Sequence, residues 1–122
     1  MATVVTNSGL ALVTNRIKGG GTEPNQVAWG TGTGTAAAAD TALGTESAEA
    51  RVAGTSTQQT TTETDDTYQV VGTLVSASAQ SISEAGLLDA ATAGNLFVRG
   101  DFTPIALAVG ESIQFTVKVQ VS

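Results

Sequence analysis

Three groupings in this chain have residue types and spacing that chemistry could use. The first is Gly32-x-Gly34-x-x-Ala37, which follows a short apolar stretch and precedes an alanine-rich run. That is the outline of a dinucleotide-binding fingerprint, which needs a βαβ unit and an acidic partner about 20 residues on. Here position 54 is glycine and no parallel strand follows, so the string reads as a flexible loop. No G-x-x-x-x-G-K-[ST] run is present to cradle a phosphate.

The second grouping is carboxylates: Glu46 with Glu49, Asp65 with Asp66, and Glu84 and Asp89 towards the C-terminus. Two carboxylates held in different protonation states can hydrolyse a glycosidic bond. Oxygen ligands from Asp65, Asp66 or Asp89 would also suit calcium. Against both, Asp65-Asp66 stands at a turn, where aspartate is favoured for bonding its own backbone. No loop has the spacing of a known calcium binder, and Glu84 has a structural partner in Arg99. The chain contains no histidine and no cysteine, so the usual general base and the thiolate metal ligands are missing. No catalytic, cofactor-binding or metal-ligating residue is assigned, and the chain reads as a non-enzyme with no cofactor.

The third grouping is a contact surface. Trp29 is the one tryptophan, and either a contact hot spot or a core plug would suit it. With Thr31, Thr33 and Thr35 beyond it, it forms the candidate interface. The Thr-rich stretch 55–64 reads either as a receptor or glycan surface or as a solvated strand kept from edge aggregation by its polarity.

These groups need a scaffold, and 122 residues allow one domain with one modest core. The predicted fold is mainly β: an antiparallel, jelly-roll-like β-sandwich with one short N-terminal helix. Thr, Ala, Gly and Val make up over half the chain, which suits closely packed sheets. Eleven acidic against five basic residues give net −6, so the chain would be repelled by nucleic acid and by anionic lipid. No basic-then-apolar leader and no apolar run of about 20 residues is found, so the protein is expected to be soluble and made without export.

Residues 1–7 read as an N-terminal arm. A helix is predicted over 8–18, capped by Asn7 or Ser8, with Leu10, Val13 and Ile17 recurring at helical spacing and Gly19 to Gly21 as its stop; at this length it must pack against something. Val27 to Trp29 reads as a short strand. Residues 30–45 form a long loop, with Asp40 capping one helical turn through Leu43; loops of this length are commonly functional or stretched over a partner. Strands are then predicted over 50–63 and 68–77, with Asp65-Asp66 at the turn between them.

The last forty residues read as a hairpin, a connector and one long strand. Ile113, Phe115, Val117, Val119 and Val121 alternate with Gln114, Thr116, Lys118 and Gln120, the period of a half-buried strand. A hairpin turn at Ala90 to Ala93 predicts Leu87 opposite Leu96, Ala85 opposite Val98, Gly86 opposite Phe97 and Glu84 opposite Arg99. The Glu84 and Arg99 side chains should then be neighbours, a pairing that contributes roughly 0.2–1 kcal/mol.

Two blocks carry a family resemblance. One is GLALVTNRIKGGGTEPNQVAWGTGTGTAAAADTALGTESAEAR; the other is the SEAGLLDA, LFVRGDF and VGESIQFTVKV sequence. In this order and spacing they resemble small bacteriophage virion structural proteins, namely head decoration (cement) proteins and related tail and fibre domains. The resemblance implies a self-associating β-sandwich docked on a viral assembly, with no catalytic residues to carry over. Because the chain begins at Met1 and stops after its final strand, a free-standing add-on is expected over a fibre segment. The leading expectation is a decoration protein on the outer capsid surface of the virion, binding the major capsid protein and itself as a homotrimer or other symmetric oligomer. Loop 30–45 and segment 1–7 are the expected contacting parts. The alternative is a tail, baseplate or fibre module, including a receptor-binding adhesin.

Overall fold

Alternation and capping build most of the elements directly. The computed structural model describes residues 2–122, which form strand β1 (Ala2–Val5), helix α1 (Asn7–Lys18) and strands β2 (Gln26–Gly30), β3 (Val52–Ala53), β4 (Thr55–Gln59), β5 (Thr67–Val75), β6 (Gln80–Leu88), β7 (Leu96–Leu107) and β8 (Ser112–Gln120). All pairings are antiparallel. They make a five-stranded sheet in the order β1-β7-β6-β2-β3 and a three-stranded sheet in the order β4-β5-β8. The sheets face each other across one core in which Val27, Trp29, Ile82, Leu87 and Val98 meet Val70 and Leu74. The mainly β, sandwich-type fold is thus the one expected from sequence.

The chain crosses between sheets at Gly54, where a Cβ would collide with Val70 and Val27 side chains. Only glycine allows the backbone so close to the core there. The predicted strand over 50–63 is accordingly two short strands, one in each sheet, rather than one continuous element.

Of the segment 1–7 read as an arm, Met1 lies outside the described residues and residues 2–7 are built into the fold. Residues 2–5 form β1, hydrogen-bonded along the β7 edge with Val4 opposite Arg99. The helix cap also moves, from Asn7 or Ser8 to Thr6. Thr6 has extended backbone geometry, and its Oγ1 accepts from the Gly9 N–H at 3.0 Å while donating to the Leu96 carbonyl at 2.6 Å. Gly19 ends the helix in the left-handed conformation at φ 100°. The buried stripe is Gly9 and Leu12, whereas Leu10 and Ile17 are exposed. Gly9 takes the core-facing position because a Cβ there would strike the Phe97 carbonyl oxygen, so sheet contact outranks the spacing of the larger side chains.

The β6–β7 hairpin differs from the predicted register by two residues. Leu87 lies opposite Val98, Gly86 opposite Arg99 and Glu84 opposite Asp101. The cause is the turn, which runs from Asp89 to Asn95: the Asp89 carboxylate accepts from the Asn95 N–H at 2.7 Å, and the Asp89 N–H donates to the Asn95 carbonyl. A β-bulge between Leu87 and Leu88 absorbs the remaining offset. An even shift keeps every side chain on its face.

β6 is buried almost continuously from Ile82 to Leu88, on both faces. The sandwich interior covers one face. The other is covered by the loop of residues 31–45, whose Leu43 joins Ala28, Leu88 and Leu96 in a second small cluster.

Candidate functional site

The covered outer face of β6 and β7 is where the ionisable side chains converge. Glu84 on β6 is fully buried and Arg99 on β7 is nearly so. Arg99 Nε donates to Glu84 Oε1 at 3.1 Å, and a second guanidinium nitrogen lies 3.0 Å from the same oxygen. The structure therefore brings this pair together as diagonal neighbours on one face.

The remaining partners of both groups come from loop 31–45 and are mostly main chain. Glu84 Oε2 accepts from the N–H groups of Gly32 at 2.8 Å and Thr45 at 2.7 Å, and Oε1 accepts from Gly44 N–H at 2.7 Å. Arg99 donates to the carbonyls of Gly34 at 3.1 Å and Thr35 at 3.4 Å, and to the Asp40 carboxylate at 2.8 Å. Asp101, next on the same face of β7, accepts from the Ala36 N–H at 2.7 Å. The loop neck is closed by Thr31 N–H on the Thr45 carbonyl and Ser47 N–H on the Trp29 carbonyl. Among the described residues, every buried side-chain nitrogen and oxygen has a hydrogen-bond partner.

The glycine spacing now has a physical reading. A Cβ on Gly30 would stand 2.7 Å from Glu84 Oε2, and one on Gly32 would overlap that oxygen. The glycines let three backbone amides, those of Gly32, Gly44 and Thr45, reach an internal carboxylate, much as a phosphate-binding loop reaches an anion. The string that resembles a nucleotide fingerprint thus cradles the protein's own Glu84.

Electrostatics follow this geometry. Burial pushes the Glu84 carboxyl up, but the N–H groups of Thr45, Gly44 and Gly32 and the Arg99 guanidinium together hold it below the ordinary glutamate range. Asp40 is lowered by the Ala37 N–H and by Arg99. Burial pulls Arg99 down, and bonds to Asp40 and Glu84 more than reverse this. Asp101 is lowered chiefly by the Ala36 N–H. At neutral pH the cluster is two carboxylates sharing one guanidinium, with Asp101 beside them.

The other candidates are dispersed. Trp29 is only 1 % exposed, lies edge-on to Phe115 at 6.4 Å between ring centroids, and donates from Nε1 to Glu49 at 3.0 Å. It is a core plug, which corrects its assignment to an interface. Thr31 is half-buried, while Thr33 and Thr35 are exposed on the anchored loop. Glu46 pairs with Arg51 at 2.9 Å, and Glu49 accepts from Trp29 and Gln80. Asp66 accepts from the N–H groups of Thr61, Thr62 and Glu63, closing the β4–β5 loop. No set of three or more acidic side chains placed to hold a metal occurs among the described residues. The predicted helical turn at 40–43 does not form, because Asp40 instead accepts from Ala37 and reaches Arg99.

Sequence reasoning missed Asp40 and Asp101 as partners in the cluster, and the amides of Gly44 and Thr45. The one available signal was the glycine spacing at 30, 32 and 44, since backbone donors leave no side-chain signature.

The model of one protein family, described as podophage GP4 fiber I protein gp80, matches residues 2–120. No curated protein and no solved structure matches the chain.

Proposed function

We infer the function from one premise: the chain belongs to the podophage GP4 fiber I protein gp80 family, and so is a virion structural protein of fibre type. The observation that carries this reading is the family match over residues 2–120. It supports the fibre module, the alternative weighed on sequence, over head decoration on the outer capsid surface. The expectation of a free-standing add-on, drawn from where the chain begins and ends, gives way with it.

In this reading the domain carries no reaction and needs no cofactor. Its work is to hold a surface in fixed shape while docked in the fibre. The Glu84–Arg99 cluster suits that role, since its hydrogen bonds are spent on anchoring loop 31–45 rather than on a ligand. The exposed loop residues Thr33 and Thr35, low in charge, are the contact surface we assign to a neighbouring virion polypeptide, with symmetric self-association as the further expectation. Gold-labelled antibody against the purified protein, applied to intact particles, should decorate fibres. Quantification against the major capsid protein should give a small fraction of its copy number. Uniform labelling of the shell at capsomer-like stoichiometry would overturn the fibre assignment and restore head decoration.

A further inference from the structure

We propose that loop 31–45 is an acid-released strap: in acid, Glu84, Asp40 and Asp101 let go of it together, uncovering the outer face of β6 and β7 while both sheets stay folded. The proposal rests on how the loop is held and is independent of the fibre assignment. Most of its hydrogen bonds to the sheet end on ionisable side chains. Glu84 takes the N–H groups of Gly32, Gly44 and Thr45, and Asp101 takes that of Ala36. Arg99 donates to the carbonyls of Gly34 and Thr35 and to the Asp40 carboxylate. Beyond these, the Asn7 N–H donates to the Ala38 carbonyl at 2.8 Å and the Ser83 hydroxyl donates to the Gly32 carbonyl. Ala36 and Leu43 are the buried apolar side chains of the loop.

Acid acts on this arrangement at its acceptors. A protonated carboxyl turns one of its oxygens into a donor. On Glu84 that donor would face N–H groups, and Arg99 would face a neutral partner. The charged groups around the strap come from few elements: Glu84 from β6, Arg99 and Asp101 from β7, and Asp40 from the loop itself. β1 supplies the Ala2 N–H, 3.2 Å from Asp101, and the chain's α-amino charge also favours ionised Asp101. β2 has no ionisable side chain, α1 reaches the loop through the Asn7 N–H, and Glu46 past the neck is engaged by Arg51. All three carboxyls lie below their ordinary range in the folded protein. The grip is therefore complete above the carboxylate range and is lost as pH falls through the folded values.

Release stays local because the sandwich does not depend on the loop. The β1–β7, β7–β6 and β6–β2 ladders run without it, and the main core contains none of its residues. Glycines at 32 and 34 near one end and at 44 near the other give the backbone freedom to swing. Once freed, a loop this long gains more conformational entropy than burial of Ala36 and Leu43 offsets. Its departure uncovers Ala28, Leu88 and Leu96, the apolar cluster that Leu43 completes. Glu49 and Asp66, also held low, brace Trp29 and the β4–β5 loop instead. Failure at those two sites would be felt in the sheets, which separates global unfolding from strap release.

Amide exchange followed by NMR on the purified protein, from about pH 7 to about pH 2.5 and corrected for intrinsic rates, tests this. Below about pH 4 the amides of Gly32, Ala36, Gly44 and Thr45 should lose protection at least tenfold. Those of Val70 and Leu74 in β5, and the far-UV circular dichroism, should stay unchanged, and return to neutral pH should restore the strap. Because opening takes up more than one proton, its equilibrium constant should rise more than tenfold per pH unit. Glu84→Gln should open the strap already at neutral pH with the β5 amides still protected. If that variant does not fold, Asp101→Asn should free the Ala36 amide at a higher pH than in the wild type. Loss of strap and β5 protection at one common pH overturns the proposal. Strap protection that persists to about pH 2.5, or a rise of tenfold or less per pH unit, overturns it too.

Discussion

Glu84→Gln keeps side-chain size but removes the charge around which loop 31–45 is built. In the native structure Oε2 accepts two backbone N–H groups, and Oε1 accepts a third together with Arg99. Glutamine has one acceptor oxygen, and whichever way it turns, its NH2 group faces N–H donors. Two or more buried donors lose their partner, and Arg99 keeps only Asp40 as a counter-ion. Each orphaned donor costs about 1–3 kcal/mol. Removing one member of a buried pair costs about 3–5 kcal/mol in all, and the two figures describe the same event. For a chain of this size a loss of 3–5 kcal/mol lowers the melting temperature by roughly 10–20 °C. Calorimetry at neutral pH would measure the drop, and hydrogen exchange at Gly32, Gly44 and Thr45 would show whether the loop has come loose. Arg99→Met should cost a similar amount, and the double variant less than the sum. A loss below about 1 kcal/mol, with the three amides still protected, would refute the view that this carboxylate anchors the loop.

Three further outcomes follow from the same geometry. Gly32→Ala, which drives a methyl group into the Glu84 carboxylate, should cost about 1–3 kcal/mol, whereas Gly34→Ala, with open space around its Cβ, should stay within about 0.5 kcal/mol in the same denaturant titration. Thr6→Ala removes the helix cap and a bond to the Leu96 carbonyl, and should cost about 1–2 kcal/mol, read as reduced denaturation midpoint and earlier exchange in α1. Glu84, Asp40 and Asp101 all have folded-state pKa values below their unfolded ones, so their stabilisation is present above the ordinary carboxylate range and is lost as pH falls through the folded values. With no histidine to titrate, stability should be flat from about pH 8 to 5 and fall below about pH 4; a midpoint that drops between pH 7 and 6 would contradict this.

Much of the frame was legible because its determinants are local. The alternation from Ile113 to Val119 requires a half-buried strand, and the structure supplies β8. Glycines after Lys18 end a helix for conformational reasons that sequence states outright. What was illegible depended on partners distant in the chain. Leu10, Val13 and Ile17 have helical spacing, yet the face turned inward is chosen by the closeness of Gly9 to Phe97. The hairpin register required the size of a turn locked by Asp89, which composition alone does not set. Glu84 and Arg99 announced themselves as a charge pair, but the amides and carbonyls that complete the cluster look identical in every residue. Asp40, nearly sixty residues from Arg99, gave no sign of its partner.

That reliance on main-chain groups bears on how this protein can diversify. The cluster holds the loop at Gly32, Gly34, Thr35, Ala36, Gly44 and Thr45 through backbone atoms, and at Asp40 alone through a side chain. Exchanging the side chains at positions 33, 35, 37, 38 and 39 leaves those anchors in place. The tip can therefore drift in sequence without unfolding, so an exhaustive substitution library across it should stay folded while its surface chemistry changes freely. The fold is thus fixed by main-chain atoms at the very loop whose exposed side chains are most open to change.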